Sequence, residues 1–203
     1  MPEHHALTPA EAATLAPGRA PGERQSRLHV PADTDIPPPV LELADSGHQS
    51  RSLRAWGLGG DTTARFLQFV EPLMDPDQGH LSIAEREFIA TVVSAANRCV
   101  SCTLVHGQAL GEHIGDHGRA RRIAINYRTV PLSRRERALG DLAANLTEDL
   151  HRIDDADFDR LRDCGLSDAA IFEAVAVTAA FNFTNRVVSA LGTQPDPEFF
   201  TTS

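Results

Sequence analysis

Residues Leu81–Leu110 read LSIAEREFIATVVSAANRCVSCTLVHGQAL, and their periodicity decides the fold. Ser82 and Glu85 stand at the spacing of a capping box, in which each side chain serves the other residue's backbone N–H. Behind them Ile83, Phe88, Ile89, Val92, Val93 and Ala96 recur with the helical period, which predicts a helix over 83–97. A second helix is expected to start near Cys99 and run to about residue 113, with Leu104, Val105 and Leu110 inward.

The same signals continue on both sides. Residues 115–126 form a third helical stretch, and Pro131 breaks the chain. Ser133 with Glu136 repeats the capping box and opens a helix through Leu146. Asp155 is expected to cap a short helix ending at Gly165. Ser167 caps the last one, IFEAVAVTAAFNFTNRVVSAL, which Gly192 closes. That helix is about 25 residues long and apolar almost all round, so it belongs in a core or a subunit interface. Upstream, Asp61 is expected to cap a helix over Thr62–Met74, and Val40–Gly47 reads as a short helix. The run RSLRAWGLGGD between them reads as a break. No strand signal competes, so the fold class is all-α, a multi-helix bundle. Eight of the thirteen prolines precede residue 40. Residues 1–30 are therefore expected to be a disordered or extended arm, 31–195 one helical domain, and 196–203 a tail.

Composition narrows the function. The chain has 203 residues, 41% hydrophobic and 23% charged, with a net charge of −9. That charge argues against a nucleic-acid partner, because phosphate binding needs positive surface. All nineteen basic residues are Arg. Without Lys there is no Schiff-base chemistry and no phosphate loop ending in Lys-Ser/Thr. No window of about 18 apolar residues marks a membrane span. The N-terminal stretch lacks the basic head and apolar centre of a secretory signal, so a cytoplasmic location is expected. Three cysteines are too few for a disulfide scaffold, and in a reducing compartment a Cys pair is more often a redox or metal site.

The chemistry sits in NRCVSCTLVHG. Cys99 and Cys102 are three residues apart near a helix start, which puts their Cα atoms about 5–6 Å apart, within disulfide range. The unpaired N–H groups of a first helical turn favour a thiolate. His106 follows Cys102 by four residues, one turn along the same face. A neutral imidazole there takes a thiol proton or holds one for delivery. Glu87, twelve residues before Cys99 and flanked by Phe88 and Ile89, is a partner for His106 or else a surface carboxylate. Three readings of the cysteines stand side by side: a dithiol/disulfide centre, two inert helical thiols, or a structural zinc site. The last needs a fourth ligand beyond Cys99, Cys102 and His106. Thr103 after Cys102 excludes covalent haem.

This segment resembles the active-site region of the alkylhydroperoxidase D-like proteins, within the carboxymuconolactone decarboxylase superfamily. The family pattern is Glu, then about a dozen residues on Cys-x-x-Cys-x-x-x-His. Glu87, Cys99, Cys102 and His106 fill it, and Asn97 also fits. A second stretch, Leu161–Gly192, resembles the C-terminal helices of the uncharacterised peroxidase-related branch, where Phe-Asn-x-x-Asn-Arg recurs; Phe181, Asn182, Asn185 and Arg186 match it. The likeness spans roughly residues 30–195. It implies an all-helical homo-oligomer that reduces hydroperoxides through a reversible disulfide, with an external dithiol as reductant and no metal or other cofactor. It implies Cys102 as the peroxidatic residue, Cys99 as the resolving one, and His106 with Glu87 as the proton relay. Ser101 departs from relatives that carry His or Tyr before the second Cys. The superfamily also holds decarboxylases and lactone enzymes without the Cys pair, so a non-redox helical oligomer and a zinc-stabilised binding module remain alternatives.

Other polar features have plainer readings. Cys164, beside Gly165, is expected to be a small packing residue. The Arg band from Arg119 to Arg137 is expected to form a solvated or ion-paired face. Asn182, Asn185 and Arg186 lie in an otherwise apolar helix and need partners, so they are expected to cap another helix or bridge subunits.

Overall fold

The computed structural model describes residues 25–46 and 50–200. Among them are nine α-helices: α1 (Pro38–Ser46), α2 (Ser50–Trp56), α3 (Asp61–Met74), α4 (Ile83–Ala96), α5 (Val100–Ile114), α6 (His117–Asn126), α7 (Arg134–Glu148), α8 (Asp155–Asp163) and α9 (Asp168–Leu191). Short 3-10 turns link several of them, and the described residues contain no strand. The all-α expectation holds.

Helix α4 is the axis of the bundle. It packs against α5, α7 and α9, and Phe88, Ile89, Ala90, Val92 and Val93 are almost wholly buried. Each large apolar side chain buried there contributes about 1.5–3 kcal/mol relative to exposure. Both predicted capping boxes form, Ser82 with Glu85 and Ser133 with Glu136. The last helix runs 24 residues and closes at Gly192, whose φ of +62° suits a residue without Cβ.

Several boundaries differ from the sequence reading, among them Pro38–Ser46 for the expected Val40–Gly47 and His117 for the expected start at 115. The stretch expected to break the chain contains α2 instead. Its glycines come after Trp56 and stop the helix rather than preclude it. Its start is capped from far away, by Asp196 accepting from the N–H groups of Ser50 (2.8 Å) and Arg51 (3.1 Å). Helix α8 is capped by Asp154 in a box with Asp157, one residue before the expected Asp155. Asp61 is the first residue of α3 and Gly60 its cap. Of the expected N-terminal arm, residues 1–24 lie outside the described residues. Gln25–Arg27 lie on the end of α9, where the Arg27 guanidinium donates to the carbonyls of Ser189 and Ala190, each at 2.8 Å.

One buried ion pair straps the loop between α3 and α4. Arg86 is fully buried, and its Nε donates to Glu173 Oε1 at 2.7 Å. Its remaining donors reach the carbonyls of Asp75 and Gln78. Glu173 also accepts from the N–H groups of His80 and Leu81. Every charge is matched, which is what a buried pair requires. No single helix among the described residues is long and apolar enough to cross a membrane.

Candidate active site

The site is built on the joint between α4 and α5. Asn97 ends α4, and Arg98 takes φ +56°, in the left-handed region that costs a side-chain-bearing residue about 1–2 kcal/mol. The N–H of Cys99 reaches the Ser94 carbonyl and that of Arg98 the Ala95 carbonyl, each at 3.0 Å. This is a Schellman turn with Arg where Gly is usual. It reverses the chain within one residue and sets Cys99 as the N-cap of α5, with Cys102 three residues on, inside the first turn.

Both cysteines are reduced and buried, 1% and 6% exposed. They share a small cluster with Trp56 and Val188, apart from the main core. The pKa of Cys99 is lowered to about 6. The main cause is the hydrogen bond from the Cys102 thiol, opposed by burial. The Cys102 N–H dipole, the Ser189 side chain and nearby His106 add to it, although no full-geometry capping bond forms to the Cys99 sulfur. The pKa of Cys102 is raised by that hydrogen bond to Cys99 and by burial. The Asn185 side chain pulls the other way by hydrogen bonding to the Cys102 sulfur.

Glu87 comes in from the middle of α4. Its Oε2 lies 2.8 Å from His106 Nδ1, and both side chains are about 10% exposed. A carboxylate on Nδ1 fixes the tautomer with the proton on that nitrogen and leaves Nε2 as the working atom. Phe181 stands edge-on to the imidazole, ring centroids 4.4 Å apart. The structure thus brings together all four residues singled out from sequence, and Glu87 is the partner of His106 rather than a surface charge.

Behind the cysteines runs a chain of amides. Asn97 Nδ2 donates to both Asn182 Oδ1 and Asn185 Oδ1, each at 3.0 Å. Asn185, fully buried, donates to Ser94 Oγ at 3.1 Å, and Asn182 donates to Thr147 Oγ1 at 2.9 Å. Arg186 Nη1 donates to the Asn182 carbonyl at 2.9 Å. The polar residues of α9 therefore hold the last turn of α4, as expected of buried amides in an apolar helix. That Asn185 also lowers the Cys102 pKa was not visible in sequence; the Phe-Asn-x-x-Asn-Arg run was its only trace. Ser101, the departure from some relatives, donates to the Thr193 carbonyl at 3.1 Å and so ties α5 to the tail after α9. Cys164 is half-buried and packs on the main core, separate from the Cys pair. Three of the seven arginines in the Arg band are ion-paired, Arg119 on Glu136, Arg128 on Glu148 and Arg135 on Glu85.

Glu87 and His106 open onto a cavity of about 770 Å³. Its roof is α1, α2 and α3, the helices least marked in the sequence, with Leu53, Trp56, Phe66 and Met74 among the walls. Trp56 packs against Phe66 and edge-on to Phe183 at the cavity's apolar side. No group of three or more metal-ligating side chains converges among the described residues.

Comparison with known proteins gives the following. The model of the carboxymuconolactone decarboxylase family matches residues 60–115. A crystal structure of an uncharacterized peroxidase-related protein from Silicibacter sp. TM1040 superposes with a TM-score of 0.79 at 32% identity, covering 90% of this chain and 97% of that one. The alkylhydroperoxidase AhpD core of an uncharacterized peroxidase-related protein from Ralstonia eutropha JMP134 gives 0.78 at 29% identity, covering 87% and 95%. A variant of the debrominase Bmp8 in complex with 2,3,4-tribromopyrrole gives 0.71 at 19% identity, covering 86% and 96%, which is likeness of fold alone. The search of curated proteins found no match.

Proposed function

Because this chain belongs to the alkylhydroperoxidase D-like group of the carboxymuconolactone decarboxylase superfamily, we propose that it is a thiol peroxidase working through a Cys99–Cys102 disulfide. The observation that carries this reading is the pair of buried cysteines three residues apart at the head of α5, beside a buried His106–Glu87 pair that opens on a cavity.

In the resting state Cys99 is the thiolate and Cys102 the thiol. Cys102 gives up its proton to His106 Nε2, and its sulfur attacks the hydroxyl-bearing oxygen of the hydroperoxide. The O–O bond breaks, Cys102 becomes a sulfenic acid, and the leaving alkoxide takes a proton from His106 to depart as an alcohol. Glu87 holds the imidazole in the tautomer that does this. Asn185, donating to the Cys102 sulfur, stabilises the charge at the moment of attack. The Cys99 thiolate then displaces hydroxide from the sulfenic sulfur; the hydroxide takes a proton from solvent and leaves as water, and the disulfide forms. An external dithiol reduces it by two exchange steps and is itself oxidised. The cycle uses no metal or haem.

We place the protein in the cytosol, where such a dithiol is kept reduced. We also propose a homo-oligomer. In support, α9 leaves Phe172 74% and Phe183 50% exposed, apolar surface that a second copy would cover. The test is peroxide turnover with a panel of dithiols, wild type against Cys102→Ser. Turnover lost in the variant supports the peroxidase. Equal consumption by both, or none by wild type with any dithiol, leaves the non-redox reading of the family.

A further inference from the structure

We infer that the cavity beside Glu87 and His106 takes an uncharged or cationic apolar molecule and rejects anionic ones. The inference rests on the peroxidase reading only in that this cavity reaches His106, which that reading places in the proton relay; its charge selectivity stands on the walls themselves.

The volume comes first. About 770 Å³ is far more than a bare peroxide fills, since one water occupies about 30 Å³, and it lies within the usual range for organic ligands. Most of the wall is hydrocarbon and aromatic ring from α1, α2 and α3. The charged groups that line it are Glu42, Glu71, Asp75 and Glu87, and all four are acidic. No Arg lines it, and the chain has no Lys. The one basic side chain, His106, has its Nδ1 committed to Glu87.

The nearest buried cation is also spent. Arg86 gives its donors to Glu173 and to the Asp75 and Gln78 carbonyls. Asp75 accepts from the Asp77 N–H and the Gln78 side chain. Glu42 and Glu71 are exposed on facing helices and have no ion-pair partner among the described residues. A carboxylate entering this space leaves water for apolar walls, meets no cation, and passes four like charges. Each of those is unfavourable. An alcohol, an ester or a neutral hydroperoxide meets none of them, and an ammonium group is attracted to the rim.

The test needs no peroxide chemistry. Trp56 is the sole tryptophan and lines the cavity, so its emission reports occupancy at one place. The full-length reduced protein is titrated with 1-octanol, octanoate and octylammonium, read by Trp56 emission and by calorimetry. The expected result is binding of octanol and octylammonium at least about tenfold tighter than octanoate, a gap that narrows in high salt as rim charges are screened. The double variant Glu42→Gln/Glu71→Gln narrows it as well, and both substitutions lie at exposed positions where folding is undisturbed. Octanoate binding as tightly as octanol, no binding of any of the three, or a gap indifferent to both salt and the double variant overturns the inference. Peroxide turnover is measured on the same preparation. Selective binding without turnover removes the peroxidase reading and leaves the selectivity; turnover without selectivity does the reverse.

Discussion

Replacing Cys102 by Ala should move the ionisation of Cys99, and the structure sets the size of the move. The thiolate at Cys99 owes its pKa of about 6 chiefly to the hydrogen bond from the Cys102 thiol. A hydrogen bond to a charged group is worth about 1.5–3 kcal/mol, or roughly 1–2 pKa units. The Cys102→Ala midpoint should therefore sit near ~7–8. At pH 6 the thiolate fraction falls from about one half to roughly 1–10%. The assay is thiolate absorbance near 240 nm against pH, in a Cys164→Ser background so that only the pair contributes. Absorbance is preferable to alkylation rate, because a more basic thiolate is also the better nucleophile and would mask part of the change. Cys102→Ser, which retains an O–H donor, should stay closer to the parent. A parent midpoint at the ordinary thiol value, or no shift in Cys102→Ala, would refute the assignment of the resting charge to Cys99.

Three further outcomes are expected. With its folded pKa depressed from 9.0 to about 6, Cys99 binds fewer protons folded than unfolded between those values. The stability it contributes is present above the unfolded pKa and lost as pH falls through about 6, so the Tm of the reduced protein should rise from pH 6 to 9 relative to Cys99→Ser; a flat difference in Tm contradicts this. Glu173→Ala leaves Arg86 buried without its carboxylate and should cost about 3–5 kcal/mol in urea unfolding, whereas a loss under 1 kcal/mol would show that the loop rearranges around it. Glu87→Gln and His106→Ala should each slow peroxide turnover by roughly 10²-fold or more with unchanged helicity, and the double variant should be little worse than either single one. Near-normal turnover in folded Glu87→Gln takes Glu87 out of the mechanism.

The readable parts of the chain were those ruled by local pattern. Periodicity and two capping boxes located α4 and α7, and Cys99, Cys102 and His106 were linked by spacing along one helix. Glu87 needed the resemblance, since its spacing alone also suits a surface carboxylate. The parts that escaped depend on long-range contacts. Helix α2 starts where it does because Asp196 caps it from across the chain. The cavity exists because α1–α3 fold over α4 and α5, and no spacing within them announces it. The opposite pKa shifts of Cys99 and Cys102 come from their effect on each other and from burial, which spacing alone does not give. For Asn185 the sequence shows a polar residue in an apolar helix and a match to the Phe-Asn-x-x-Asn-Arg run, but not its partners, which are Asn97 and Ser94.

The central claim is that peroxide drives Cys99 and Cys102 into one disulfide, and a single-turnover experiment reads it directly. Fully reduced protein is mixed with one equivalent of cumene hydroperoxide, remaining thiols are alkylated, and the peptides are weighed by mass spectrometry. The account predicts stoichiometric cumyl alcohol, loss of two thiols per chain as a Cys99–Cys102 cross-link, and Cys164 still alkylated. Peroxide left unconsumed, or Cys164 lost before the pair, would contradict it.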